Sequence, residues 1–192
     1  MTPVRSAGLA FLFCSQVALA GSITVDFEGI ADSTSLTNQY TGLLFSGANA
    51  ITAGLSLSDV EFPPRSGTSV AVNTGGPITI AFTTPVLTFG GYFTYTSPIT
   101  VQAFDSLNQG VGTATSIHNS NFVSSGFAPN ELIQVSFVGG IASLSISGAS
   151  ANFTIDDLTV TLPDTTMTSI PEPGSGLFLI SGLLAVYLRR KS

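Results

Sequence analysis

The sequence predicts an all-β protein, an antiparallel β-sandwich of the jelly-roll type, on three observations. Apolar residues in the middle of the chain alternate with period two and show almost no helical periodicity. The alternating runs are short and are separated by turn signals such as "NTGGP", "TTP", "TSP", "DSLNQG" and "VGG", where glycine supplies positive φ and proline interrupts pairing. The runs number about ten, more than the seven to nine strands of an immunoglobulin-like sandwich, and no Cys-Trp-Cys core signature accompanies them. No repeat of solenoid or propeller length is present.

The first element is not part of that sandwich. "MTPVRSAGLAFLFCSQVALA" carries one charge, Arg5, then an apolar stretch from Ala7 to Phe13, then small residues at Ala18 and Ala20. This is the three-part plan of a secretory signal peptide, so residues 1–20 are expected to be removed by signal peptidase before Gly21. Bulky Phe11, Leu12 and Phe13 ahead of Cys14 argue against a lipoprotein processing site. Cys14 is the chain's single cysteine, so no disulfide framework is available to the exported part. A buried core must hold residues 21–162 together, and that length suffices for one domain.

The strands follow in order. "ITVDF" places Ile23, Val25 and Phe27 on one face, "ITIAF" places Ile78, Ile80 and Phe82, and "LTFGGYFTY" places Leu87, Phe89, Phe93 and Tyr95. Later runs are "ITVQAFD", "LIQVSFV", "ASLSISG" and "FTIDDLTVTL". The last of these breaks its own rule. Phe153 and Ile155 share one parity while Leu158, Val160 and Leu162 have the other, so keeping all five in the core requires an extra residue, a β-bulge at Asp156-Asp157.

Charge is sparse and lopsided: from Gly21 to Ile170 there are ten acidic residues and one basic residue, Arg65. Such a surface disfavours nucleic acid and anionic lipid and attracts divalent cations. First and last strands of a sandwich are commonly neighbours, which would bring Asp156 and Asp157 towards Asp26 and Glu28 on the solvent side of the first strand. Calcium takes six to eight oxygens, and a bulge leaves carbonyls free to join carboxylates, so these four residues are a candidate structural calcium site. The other reading is that they are solvated edge charges that discourage strand aggregation.

Residues 163–170 read as a linker. Beyond it come Pro171-Glu172-Pro173, an apolar run from Gly174 to Leu188, and a basic tail of Arg189, Arg190 and Lys191. As a helix that run spans roughly 22 Å at about 1.5 Å per residue, against a hydrocarbon core of about 30 Å, which makes it a short transmembrane anchor. Positive residues stay cytoplasmic, so the domain would lie outside with the Pro-Glu-Pro segment at the outer surface of the membrane.

"SIPEPGSGLFLISGLLAVYLRRKS" resembles the PEP-CTERM sorting signal of Gram-negative, biofilm-forming bacteria, through Pro171-Glu172-Pro173, the Ser181-Gly182-Leu183 step and Arg189-Arg190-Lys191. The resemblance covers residues 171–192 and their immediate approach; Lys191 in place of an arginine and the glycines Gly174 and Gly176 are its departures. It implies an exosortase partner that recognises and cuts the tail, an inner-membrane intermediate, and a final place on the cell surface or in an extracellular matrix rich in exopolysaccharide. A permanent single-span anchor is the rival. The middle domain is similar to β-sandwiches carried by PEP-CTERM proteins through "VDFEGI", "YTGLLF", "GGYFTY", "ITVQAFD" and "FTIDDLTV". That similarity implies a carbohydrate-binding-like fold with a structural calcium tying first strand to last, on Glu28 and Asp157 with Asp26 and Asp156 as neighbours.

Function is expected to be non-catalytic, either contact with extracellular polysaccharide or a purely structural spacer of the matrix, which the sequence does not separate. Tyr92 faces outward if Phe89 and Phe93 face in, with Thr88, Thr94 and Thr96 beside it, a candidate sugar-stacking strip or a merely amphipathic surface residue. A carboxylate-dependent glycan-degrading enzyme is the alternative. His118, the only histidine, sits in polar "SIHNSNF" and reads as a loop residue; no nucleophile elbow, phosphate loop or zinc-ligand cluster is present.

Overall fold

The computed structural model describes residues 21–148 and 152–164. The expected signal peptide with Ala18 and Ala20, and the sorting segment with Pro171, Glu172, Pro173, Arg189, Arg190 and Lys191, lie outside the described residues.

Ten strands make the domain: β1 (Ser22–Val25), β2 (Thr34–Ser35), β3 (Leu43–Ser46), β4 (Ala48–Thr52), β5 (Ser69–Asn73), β6 (Ile78–Tyr95), β7 (Ile99–Phe104), β8 (Gly110–Thr115), β9 (Glu131–Gly148) and β10 (Phe153–Thr161). All strand pairs are antiparallel, and β1 pairs with β10 as expected for first and last strands. A single 3₁₀ turn, Val123–Ser125, interrupts the loop between β8 and β9. No helix among the described residues is long and apolar enough to cross a membrane.

Two strands of 18 residues, β6 and β9, pass through both layers of the sandwich. Their first and last halves respectively, Ile78–Ala81 against Ser143–Ile146, join β3 on one side and β7 with β8 on the other. Their other halves, Thr88–Phe93 against Glu131–Ser136, join β10, which continues to β5, β4 and β2. The ladder slips between Ala81 and Thr88, at the corner where the strands change layer. The sequence reads β6 as two strands separated by "TTP". Pro85 bends it instead of ending it, because a corner with a slipped ladder does not need the N–H that proline lacks. "VGG" likewise sits inside β9 and not between strands.

The two inner faces close on one core that includes Phe27, Phe89, Phe93, Tyr95, Ile80 and Leu144, each fully buried. With no cysteine in the described residues, burial of such side chains, worth about 1.5–3 kcal/mol each, is what holds the layers together. The bulge in β10 appears where the parity requires it, as a register shift between Asp156 and Thr159, with Asp157 at φ 45°. Phe153, Ile155, Leu158 and Val160 are thereby all buried, while Leu162, just past the strand, is half-buried.

Candidate functional site

Three of the four acidic residues singled out above meet one segment, Arg65–Ser69, which crosses the outer side of the sheet near β10. Asp156 is 1 % exposed, and its Oδ2 accepts the backbone N–H groups of Arg65 at 2.7 Å and Ser66 at 3.0 Å. Its Oδ1 accepts the N–H of Asp157 at 2.7 Å. Asp157 Oδ1 accepts the Ser66 hydroxyl at 2.7 Å. Glu28 Oε1 accepts N–H from Thr68 at 2.6 Å and Ser69 at 2.7 Å, and Oε2 accepts the Thr68 hydroxyl at 3.2 Å. Asp26 stands apart and accepts the N–H of Glu28 at 3.1 Å.

The electrostatics follow from these partners. The Thr68 N–H and its neighbours hold the Glu28 carboxyl below the usual glutamate range against the upward push of burial. Burial pushes the Asp156 carboxyl up to about 6, opposed by the N–H of Ser66, Asp157 and Arg65 and reinforced by the charge of Asp157. Nearby, burial and then the charges of Asp26 and Glu28 raise the Tyr40 hydroxyl to about 12. That hydroxyl is buried with no hydrogen-bond partner among the described residues, a neutral group beside two carboxylates.

This donor set does not fit calcium. Among the described residues no three acidic or histidine side chains converge to hold a metal. The oxygens of Glu28 and Asp156 face N–H groups, which a cation would first have to displace. Three of the four carboxylates the sequence groups as a metal site are, in this geometry, a staple: Glu28, just past β1, and Asp156 and Asp157 of β10 grip one loop through hydrogen bonds, while Asp26 takes no part.

The stapled loop brings in a residue the sequence reading passed over. The Arg65 guanidinium carbon lies 4.6 Å from the centroid of the Tyr92 ring. Tyr92 does point outward, as its parity requires, and is half-buried with its own protein's cation over the ring. Beside it the register lines up a polar surface. Ser22, Thr161, Thr88 and Ser136 form one row across β1, β10, β6 and β9; Thr24, Thr159, Gly90 and Gln134 form the next; Asp156, Tyr92 and Leu132 form a third. Thr88 and Thr161 hydroxyls are 2.7 Å apart, and those of Thr24 and Thr159 are 3.3 Å apart. Gly90 carries no side chain, and the Gln134 side chain lies over it, 3.0–3.5 Å from where a Cβ would stand; a depression of about 280 Å³ beside it is lined by Thr88, Gln134, Val135 and Ser136. Ser22, Thr24, Gln134 and Ser136 are exposed, and Thr88, Thr159 and Thr161 half-buried. The signal for this face was present in "LTFGGYFTY" and "LTVTL", whose outward positions are threonine and glycine; that they adjoin needed the strand order.

His118 lies in the loop after β8, stacked on Phe127 with ring centroids 4.1 Å apart, and takes no part in this face.

No protein-family model matches the chain, and no curated protein matches it. Among solved structures it is similar to a DUF4465-family protein from Bacteroides caccae, at 10 % identity over 74 % of this chain and 100 % of that one, with a TM-score of 0.46. It is also similar to a family 6 carbohydrate-binding module, at 10 % identity over 68 % and 95 %, TM-score 0.37. A third likeness is to modules of Clostridium thermocellum N-terminal endo-1,4-β-D-xylanase 10B, crystallised with xylohexaose, at 12 % identity over 76 % of this chain and 28 % of that one, TM-score 0.38.

Proposed function

We propose that the chain is an exported, non-catalytic surface or matrix protein whose sandwich holds extracellular polysaccharide on the hydroxyl face of its first layer. The observation that supports this reading is the composition of that face: two neighbouring rows of serine, threonine and glutamine around Gly90, ending at Tyr92. Hydroxyls and amides exchange hydrogen bonds with sugar hydroxyls, and at the margin the Tyr92 ring, covered by Arg65, closes the face. Nucleic acid is a poor partner for a domain with nine carboxylates and one cation.

Cleavage is less well supported than binding. A glycosidase needs two carboxyl groups over the sugar, about 5–9.5 Å apart. On this face Asp156 is buried beneath Arg65 and Ser66, and Asp157 is tied to Ser66. Sorting rests on the tail: Pro171-Glu172-Pro173 would be presented to an exosortase after export, with Arg189, Arg190 and Lys191 on the cytoplasmic side.

The test is a binding isotherm of the exported protein on the exopolysaccharide of its native host, beside a variant carrying Thr24→Val and Thr159→Val. Valine keeps the β-branched shape and deletes the hydroxyls. Each lost hydrogen bond is worth about 0.5–1.5 kcal/mol, so the pair should weaken binding by roughly fivefold or more with little change in melting temperature. Unchanged affinity, or no saturable binding by the wild type, would overturn the reading.

A further inference from the structure

We infer that Arg65 reads a carboxylate on the bound polysaccharide, so that the hydroxyl face takes an acidic, uronate-bearing glycan. This rests on the reading of that face as a polysaccharide site and names the substrate class it selects.

Arg65 is the one cationic residue among ten acidic ones between Gly21 and Ile170, yet among the described residues it makes no ion pair. A free arginine in such an excess of carboxylates would be expected to settle against one of them. This one is held elsewhere. Its backbone N–H is fixed on Asp156 Oδ2, the next residue is fixed on Asp156 and Asp157, and its guanidinium is fixed over Tyr92. The cation lies over the ring, and among the described residues the guanidinium N–H groups donate no hydrogen bond. The residue is exposed, so those donors are open to a ligand.

Position adds the second half of the case. Tyr92 belongs to the row next to Thr159, Gly90 and Gln134, so the guanidinium borders the hydroxyl rows. A sugar chain lying over those rows would bring one substituent to the arginine rim. A planar fork of N–H donors matches a carboxylate in a bidentate pair, which is stronger and more selective than a contact with a neutral hydroxyl.

The acidic surface sets a limit on this ligand. At physiological ionic strength the screening length is about 8 Å, so only carboxylates near the site oppose an incoming anion. Asp156 is turned to three N–H groups and Asp157 to the Ser66 hydroxyl. One uronate at Arg65 is therefore accommodated, while a polymer charged on every sugar meets the rest of the surface. The preferred glycan carries uronates spaced by neutral units.

Calorimetry on the exported protein decides it, with two probes: an oligosaccharide of alternating uronate and neutral sugars, and the same oligosaccharide after reduction of its carboxyl groups to alcohols. The wild type should bind the acidic form about tenfold more tightly, the gain of one charge-assisted bidentate pair. Arg65→Gln should bring the two forms level, Arg65→Lys should restore only part of the preference, and Tyr92→Leu, which removes the platform, should reduce it. Melting temperatures of all variants show whether the fold is kept. Equal affinity of the wild type for both forms overturns the inference and leaves polysaccharide binding standing. A preference that persists in Arg65→Gln overturns it as well. Binding of neither form, while the native exopolysaccharide still binds, overturns this inference alone; binding of neither form nor the native exopolysaccharide overturns both.

Discussion

Asp156 and Glu28 do the same work with opposite responses to pH. Burial pushes the Asp156 carboxyl up to about 6 in the fold, from an ordinary 3.8, so between about pH 4 and 6 the native state holds the proton more firmly than the unfolded chain. Its contribution to stability is complete below that window and is lost as pH rises through it. Asp156→Asn should flatten this part of the stability–pH curve, measured by chemical denaturation at several pH values; a variant with the wild-type slope would show that another group titrates. Glu28 runs the other way. Its carboxyl is held below the ordinary 4.5, so its contribution is present above that pH and fades as the solution is acidified. Asp156→Ala should cost about 1–3 kcal/mol, because the N–H groups of Arg65, Ser66 and Asp157 lose their acceptor. Since these oxygens are already spent on N–H donors, calcium and chelator should give the same melting curve for the wild type. A rise of several degrees in millimolar calcium would show that the carboxylates leave the loop for the ion. None of this was visible in the sequence: the acidic residues were, but their partners lie in an irregular loop 40 residues after Glu28 and 90 before Asp156, where no periodicity marks them.

At the level of elements, the bulge in β10 was legible because a parity change inside one short run has few other remedies. The pairing of β1 with β10 was legible from general sandwich topology. Strand ends were less so: whether Pro85 or Gly139-Gly140 terminates a strand or turns its corner depends on the neighbour against which it bends. β5 escaped notice for a different reason. Ser69, Val70, Ala71 and Asn73 are all buried, so the strand shows no alternation to read. The step from β3 to β4, which belong to different layers, is made by Gly47 at φ 76°, where a Cβ would clash with the Pro77 carbonyl oxygen. Gly47→Ala should therefore destabilise by about 1–3 kcal/mol from backbone strain alone, and lower the melting temperature by several degrees. An unchanged melting temperature would mean that β3 and β4 can be joined without that left-handed turn.

For the whole molecule, export and sorting predict two trimmed ends. Protein recovered from the native host's surface should start at Gly21 and lack the residues beyond the Pro171-Glu172-Pro173 region; mass spectrometry that finds Arg189-Arg190-Lys191 on most copies would favour a permanent anchor. Binding on the hydroxyl face is reported most directly by threonine methyl resonances. With threonine methyls labelled and the native exopolysaccharide added, Thr24, Thr88, Thr159 and Thr161 of the first layer should shift together and saturably. Thr100, Thr113 and Thr115, on β7 and β8 of the second layer, should stay where they are. Shifts confined to that second layer, or none on the four face threonines, would contradict the account.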